Sequence, residues 1–442
     1  MVRARGSAPA AGAMKIISAC TLGCKVNQYD TQAMIERFEA AGYMSVPFGE
    51  PADVCLVNTC TVTGAGENKS LKMIRRARKL APRADIIAAG CLAQRDAERV
   101  SALNGVRLVI GTRDRARVVE LYERAITEDA ALVAVSSLEG AAFERLGVSR
   151  HEGRVRALMK IQEGCDRHCS YCVIPGVRGR SRSMPLADVR AEAGRLAGEG
   201  YREIALAGID LSSYGADIGL RLTDAVLAVH ETRGIARVRL GSIEPPAADE
   251  VFIKTAAALP KLCRHFHLPL QSGSDAVLGK MRRGYTAKGY ARAAEEILKA
   301  MPDASLTTDI LCGFPGETEN DVNETLKFVD EIGFSRIHVF PFSRRDSTDA
   351  AKMPCQTSPE AIRERVARFL ALGNKLEARY ANKLIGSTVE TLFEEYNGDA
   401  AEGYTRQYAR VRANGQPGML ADVVIDRAEG ALVIGHVAGR EG

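Results

Sequence analysis

The chain has 442 residues, enough for several domains with hydrophobic cores of their own. Hydrophobic residues make up 46% and charged residues 26%, which excludes disorder on a large scale. No run of about eighteen apolar residues occurs, which excludes a membrane-spanning helix, and the formal charge of +5 permits an anionic partner without requiring one.

Residues 1–13 are small and Arg-containing and lack the apolar stretch of a secretory leader, so a disordered extension is expected there, with Met14 as an alternative start. From 14 to 125, short apolar runs at 15–18, 53–57, 85–89 and 107–110 are each followed by a helical stretch. That alternation predicts an open parallel α/β sheet with helices on both faces. Residues 126–150 hold no sustained period and read as a linker with room for one strand. From 151 to 376 the alternation returns, with strands near 155–161, 203–207, 237–240, 265–270, 305–311 and 336–340 and helices such as 186–197 and 319–332. Six such units predict a partial (βα)6 barrel with its functional loops at the C-terminal strand ends. A long helical pattern, 359–384, leads into 377–440. There, runs at 388–393, 408–411, 419–425 and 431–437, broken by Gly and Asn turns, predict a small all-β barrel.

Eleven cysteines in a chain with no secretory leader point to metal or redox chemistry rather than disulfides. Cys165, Cys169 and Cys172 form a CxxxCxxC group directly after a predicted strand. Three thiolates can hold three irons of a [4Fe-4S] cube and leave the fourth open to chelate a substrate; a zinc site with His168 as fourth ligand is the alternative. Cys24, Cys60 and Cys91 each fall at the C-terminal end of one of the first three strands, ends that converge on one crevice in an open parallel sheet. They are candidates for a second three-thiolate cluster, and three separate core cysteines are the alternative. Of the remainder, Cys55 and Cys312 read as packing residues, and Cys20 lies four residues before Cys24.

At these six cysteines the sequence resembles the methylthiotransferase family of radical S-adenosylmethionine (SAM) enzymes. The likeness extends through RGRSRS at 178–183, AGIDLSSYG at 207–215, RLGSIEP at 239–245, HLPLQSGSDAVLGKMRRGYT at 267–286, TDILCGFPGETENDV at 308–322 and HVFPFSRRDSTDAAKMP at 338–354. It implies an α/β domain with an auxiliary cluster, a partial-barrel radical SAM domain and a C-terminal barrel of the TRAM type. It also implies two [4Fe-4S] clusters, SAM, an electron donor such as flavodoxin or ferredoxin, and a cytoplasmic enzyme with tRNA as partner and no membrane. Within the family, LGCKVNQYDT, NTCTVT and PFSRRDST look most like the branch that converts N6-threonylcarbamoyladenosine next to the tRNA anticodon to its 2-methylthio derivative. Sister branches act on isopentenyladenosine in tRNA or on a ribosomal-protein aspartate. A non-catalytic iron-sulfur RNA-binding protein would complete four ligands per cube. The departures are Asp210, where branch members often carry His, and Cys55, where an aromatic is usual.

The resemblance implies that one SAM methylates sulfur at the Cys24, Cys60 and Cys91 cluster, and that a second, at the Cys165, Cys169 and Cys172 cluster, yields a 5′-deoxyadenosyl radical that removes the adenine C2 hydrogen. By placement at strand ends, Ala207 and Gly208 are expected to approach SAM by their backbone, Ser242 and Glu244 to take its amino and ribose groups, and Gln271 to add a contact. Satisfying local backbone groups is the alternative role for Ser242 and Gln271. Arg178, Arg180 and Arg182 alternate, as if sharing one face toward phosphate or carboxylate, or a solvated charge face. For RNA, Arg406, Tyr408, Arg410 and Arg412, with Tyr404, alternate charge and aromatic character. The helix 69–79 is a second basic patch, and such a helix on its own also reads as a solvated face.

Overall fold

The computed structural model describes residues 14–151 and 153–439; the extension expected at 1–13 and the end of the last segment at 440 lie outside the described residues. The chain divides into two compact units, 1–148 and 149–442.

In the first unit the order is β1 (Ile16–Thr21), α1 (Lys25–Ala40), β2 (Met44–Val46), β3 (Val54–Thr59), α2 (Gly64–Leu80), β4 (Asp85–Gly90), α3 (Cys91–Arg95), α4 (Ala97–Ser101), β5 (Val106–Ile110), α5 (Val118–Thr127) and β6 (Leu132–Ala134). The strands form one parallel sheet in the order β2-β1-β3-β4-β5-β6, so the segment read as a linker supplies the edge strand β6. Every residue of β3 is buried, as a parallel strand covered on both faces requires. One face packs Leu71, Ile74 and Ala77 of α2 against Cys55, Val57, Ile86 and Ala88. The other packs Met34 and Phe38 of α1 and Leu121 of α5 against Leu56, Ile87 and Leu108.

The second unit runs β7 (Arg156–Lys160), β8 (Gln162–Glu163), α6 (Ile174–Arg178), β9 (Arg182–Ser183), α7 (Leu186–Gly198), β10 (Glu203–Ala207), α8 (Leu222–His230), β11 (Arg237–Leu240), α9 (Glu250–Ala258), β12 (His265–His267), α10 (Asp275–Met281), α11 (Ala287–Ala300), β13 (Ser305–Cys312), α12 (Glu319–Ile332), β14 (Arg336–Pro341) and α13 (Pro359–Lys383). It closes with β15 (Thr388–Asn397), β16 (Ala400–Thr405), β17 (Arg410–Ala413), β18 (Leu420–Glu429) and β19 (Leu432–Val437). The six long-crossover strands pair in parallel as β7-β10-β11 and β12-β13-β14. Isolated bridges Val238↔Leu262 and Ser242↔His267 join the two triplets into the partial barrel. The last five strands form a closed barrel in the order β15-β16-β17-β19-β18, with Phe393, Val411, Val423 and Val433 in its core.

The closed barrel docks on the N-terminal ends of the partial-barrel strands. Glu203, the first residue of β10, is fully buried between Arg239 (2.7 Å) and Arg237 (2.8 Å). The same arginines donate onward to main-chain carbonyls of the 404–406 turn: Arg237 to Tyr404, Arg239 to Thr405 at 3.0 Å and to Arg406 at 3.2 Å. Ser305, first in β13, donates to the Gln407 carbonyl at 2.5 Å, and Arg156, first in β7, pairs with Glu394 at 2.6 Å.

Candidate active site

The C-terminal ends of β1, β3 and β4 are adjacent, and each leads into a loop that carries one cysteine: Cys24 caps α1, Cys60 follows β3, and Cys91 opens α3. Asn27 donates its side-chain amide to the Leu22 carbonyl (2.7 Å) and the Thr59 carbonyl (3.0 Å), while Asn58 donates back to the Asn27 carbonyl (2.9 Å). These bonds tie the Cys24 loop to the Cys60 loop. The Thr59 hydroxyl donates to Ala89 O (2.6 Å) and accepts from Ala93 N (3.3 Å), which ties the Cys60 loop to the Cys91 loop. A second tie is Glu67 of α2, paired with Arg95 and Arg99 at 3.0 Å each.

Three of the six candidate ligands follow a glycine with positive φ: Gly23 at 97°, Gly90 at 94° and Gly164 at 77°. The left-handed region turns the chain sharply at a strand end, at little cost only for glycine. There is also no room for a larger residue. A Cβ at Gly23 would lie 3.0 Å from the Cys60 sulfur, and one at Gly164 only 1.9 Å from the Arg180 carbonyl oxygen.

In the second unit, Cys165, Cys169 and Cys172 line one cavity of about 240 Å³ together with Arg167, Tyr171, Asp210, Ser242, Glu244, Arg283 and Asp309. The loop is anchored from several sides. Cys165 N donates to Gly179 O (3.0 Å), Ser170 N to Met281 O (3.1 Å), and Ala350 N to Ser170 O (2.8 Å). Arg167 reaches across to Asp210 at 2.9 Å, and Asp210 also accepts from Ser213 at 2.7 Å.

Each of the three sulfurs accepts one N–H: Cys165 from Arg167 N (3.4 Å), Cys172 from Ile174 N (3.4 Å) and Cys169 from the Arg283 guanidinium (3.3 Å). Burial pushes the Cys165 thiol up to about 12 and the Cys172 thiol up to about 11. Without metal these are neutral thiols at pH 7, and loading a metal displaces their protons. Among the described residues no group of three or more His, Cys, Asp or Glu converges on one metal ion, whereas a cube takes each thiolate on a separate iron. Three thiols around one mouth, each receiving a donor, match the sulfur-only ligand set of an iron-sulfur cube.

Ser242 and Glu244 lie on the cavity wall, whereas Ala207, Gly208 and Gln271 are not among its lining residues. Ala207 is buried and accepts from Ile161 N (3.0 Å); Gln271, at φ 68°, donates its N–H to Asp309 O and accepts from Leu311 N. The arginines expected to share one face do not. Arg178 is fully buried on Glu163 (2.5 Å), Arg182 is buried with its guanidinium on the Arg178 and Arg180 carbonyls, and Arg180 alone is exposed. Glu163 demands those cations because a buried carboxylate needs partners.

The 404–412 stretch also has an arrangement that alternation alone does not reveal. Tyr408 stacks between His265 (4.9 Å) and Tyr404 (4.6 Å) with Arg239 over its ring, and Arg406 donates to Leu262 O at 2.9 Å and to Pro260 O. Arg410 and Arg412 both pair with Glu402, the latter at 2.6 Å. Arg406 and Tyr408 are therefore docking residues between the two barrels, at the strand ends opposite the cavity.

Arg167, Arg283, Asp309 and Tyr171 were not anticipated as cavity residues. Asp309 lies in a barrel strand and could have been found by strand-end placement; Arg283 follows a helix that ends on Arg282 in the left-handed region (φ 57°), a turn with no sequence signal. Cys55 and Cys312 are buried, as packing residues should be.

Taken together, a parallel α/β sheet with three strand-end cysteines and a partial barrel with a CxxxCxxC cavity define a class, and the comparisons agree on it. The model described as radical SAM superfamily matches 159–329, and that of uncharacterized protein family UPF0004 matches 17–111. The chain is 38% identical to the threonylcarbamoyladenosine tRNA methylthiotransferase MtaB of Bacillus subtilis (strain 168), covering 93% of each. It is 35% identical to the tRNA-2-methylthio-N(6)-dimethylallyladenosine synthase of Pelotomaculum thermopropionicum, covering 96% of this chain and 97% of that one. In fold it is similar to the radical SAM methyltransferase TsrM of Kitasatospora setae, with a TM-score of 0.56 at 16% identity over 82% of this chain and 89% of that one. The chain belongs to the methylthiotransferase family of radical SAM enzymes.

Proposed function

We propose that this chain places a methylthio group on C2 of N6-threonylcarbamoyladenosine next to the tRNA anticodon. The observation that carries the proposal is the pair of three-cysteine sets, one at the strand ends of the first unit and one around the cavity of the second. The MtaB enzymes of Bacillus subtilis, Aquifex aeolicus and Thermotoga maritima, each at least 35% identical, support the branch.

A [4Fe-4S] cluster at Cys165, Cys169 and Cys172 supplies, when bound, the electron and the open iron for SAM that breaking an unactivated adenine C–H bond requires; Cys24, Cys60 and Cys91 would hold the auxiliary cluster. The protein's own part is to hold and exclude. Arg283 fixes Cys169 and Glu244 with one guanidinium. Arg167 and Asp210 keep the cysteine loop against the end of β10. Ser242 and Glu244, on the cavity wall, would take the amino and ribose groups of SAM, while Ala207, Gly208 and Gln271, which do not line the cavity, would support it only through main-chain bonds such as Gln271 N to Asp309 O. Tyr171, Ile243 and Pro269 give the cavity apolar walls, which limit the access of water to a reactive species.

The division of labour then follows 14–125 for sulfur insertion, 151–376 for the radical and 377–440 for RNA, with Arg410 and Arg412 the cations of the β-barrel stretch that RNA can reach. Flavodoxin or ferredoxin fits as electron donor and the cytoplasm as location. No helix among the described residues is long and apolar enough to cross a membrane.

The test is anaerobic reconstitution with iron and sulfide, then reaction with SAM, reductant and tRNA carrying threonylcarbamoyladenosine, isopentenyladenosine or unmodified adenosine. Nucleoside mass spectrometry should find the methylthio gain on the first alone, abolished by Cys24→Ala and by Cys165→Ala. Gain on isopentenyladenosine would move the chain to the sister branch, and SAM cleavage with no gain on any tRNA would reject the substrate.

A further inference from the structure

Two basic stretches stood out in the sequence, and the structure treats them in opposite ways. The one in the C-terminal barrel is largely partnered: Arg406 holds main-chain carbonyls, Tyr408 lies among stacked rings, and Arg410 and Arg412, though partly exposed, both pair with Glu402. The one on α2 is not. Ser70, Leu71, Ile74 and Ala77 turn one side of α2 into the core, and Lys69, Lys72, Arg75, Arg76 and Lys79 are all exposed. Positions 69, 72, 76 and 79 recur at intervals of three and four, so they form a single stripe on the opposite side. None of these five cations makes a salt bridge among the described residues; the single carboxylate of the helix, Glu67, is taken by Arg95 and Arg99.

Five like charges crowded on three turns repel one another, so apart from Lys79 in the last turn the fold gains nothing from the arrangement. The helix is stable for other reasons: its apolar side is buried, Thr63 caps Gly66 N at 3.0 Å, and Arg78 and Lys79 in the last turn complement the dipole. The stripe also has a defined relation to the reactive loops. Lys69 adjoins Ser70, whose hydroxyl accepts from Cys60 N (2.9 Å) and donates to Cys60 O (3.0 Å). Lys69 and Arg76 lie near enough to Cys20, close to the C-terminal end of β1, for their charge to oppose the burial that raises its thiol. From that end the stripe runs about 15 Å along the helix axis, a length that spans two to four phosphates of an RNA strand.

We infer that the outer side of α2 is a phosphate-binding track for the RNA backbone, leading the substrate strand to the Cys24, Cys60 and Cys91 crevice. The inference rests on the tRNA reading of the function. It needs no base recognition: lysine and arginine at helical spacing read phosphate charge and not sequence. Binding through this track should be salt-dependent, by counterion release.

The experiment uses the full-length reconstituted enzyme and threonylcarbamoyladenosine-containing tRNA, with affinity measured across a salt series. For Lys69→Gln/Lys72→Gln/Arg76→Gln/Lys79→Gln the slope of log affinity against log salt should be shallower by about 3, and affinity near 0.1 M salt weaker by roughly 10²- to 10³-fold. Cleavage of SAM without tRNA should stay at the wild-type rate, and the unfolding midpoint should fall only slightly, through loss of the Lys79 charge at the helix C-terminus. The charge-keeping variant Lys69→Arg/Lys72→Arg/Lys79→Arg should bind as wild type. If the fourfold variant does not fold, Lys72→Gln/Arg76→Gln carries the test with about half the slope change. A neutralised variant that keeps the wild-type slope and affinity overturns the track and leaves the function intact; a wild-type enzyme that binds no tRNA overturns both.

Discussion

The residue with the most varied duties in the cavity is Arg283. One guanidinium donates to the Cys169 sulfur at 3.3 Å, pairs with Glu244, and donates to Tyr285, whose own hydroxyl donates to Pro269 O at 2.6 Å. Its side chain is only 5% exposed, so each contact is made largely out of water, where charged hydrogen bonds are strongest. A cationic donor to a ligand sulfur stabilises the reduced, more negative form of a cluster. Arg283→Gln should therefore lower the midpoint potential of the reconstituted cluster by on the order of 50 mV, read by a redox titration followed by electron paramagnetic resonance. Arg283→Lys should recover part of that shift but not the Glu244 geometry, because an ammonium lacks the planar fork. An unchanged potential in Arg283→Gln would show the contact to be structural only. Lysine and arginine are common in loops, and nothing in MRRGYT separates this arginine from its neighbour Arg282, which points elsewhere and pairs with Asp349. The donor to the Cys169 sulfur was therefore not legible in the sequence.

Among the elements, the docking of the closed barrel on the partial barrel is the most exacting. Burial alone would push the Glu203 carboxyl up, but Arg239 and Arg237 beside it hold it down at about 2. A depressed carboxyl contributes stability that is fully present above its ordinary value near 4.5 and is lost as pH falls through about 2. The Glu203 share of the joint should thus be insensitive to pH from neutrality down to about 4.5 and be weakened by acid only below that, whereas burial pushes the Glu394 carboxyl up, so its share runs the other way and is lost as pH rises through its raised value. Circular dichroism melts of the full chain between pH 7 and pH 3 check the window. Glu203→Gln leaves two buried guanidinium groups without their shared anion and should cost about 3–5 kcal/mol, measured by urea unfolding. Tyr408→Ala removes a half-buried ring stacked on Tyr404 and His265, and a cost of about 1–3 kcal/mol is expected by the same assay. Neither residue approaches the cysteine cavity, so SAM cleavage by the folded fraction should keep its wild-type rate.

Across the whole molecule, the layout was largely legible. The parallel sheet of the first unit, the six barrel strands and the closing all-β barrel each follow from a change of hydrophobic period, and periodicity depends on burial that the residues themselves display. The six cysteines could be singled out in the sequence because each follows an apolar run or belongs to the CxxxCxxC group. What the sequence withheld were partners. Arg178 and Arg182 look like a surface pair until Glu163 is seen between them, and Arg406 with Tyr408 looks like an RNA motif until His265 and the Leu262 carbonyl are seen behind it. Pairing across long sequence separation is set by the fold and leaves no local period. The first unit offers a test at this scale: all six strands of its sheet pair within 14–148, so that fragment alone should unfold cooperatively in urea, whereas a gradual transition would show that it depends on the remainder. The joint between the two barrels carries one more lesson. Arg237, Arg239 and Ser305 grasp the 404–407 turn by its carbonyl oxygens, which every amino acid possesses. Such a clasp recognises the course of the chain rather than its lettering, so what keeps the sequence of the turn from drifting is left to the few side chains that dock as well, the Arg406 guanidinium on Leu262 O and the stacked rings of Tyr404 and Tyr408.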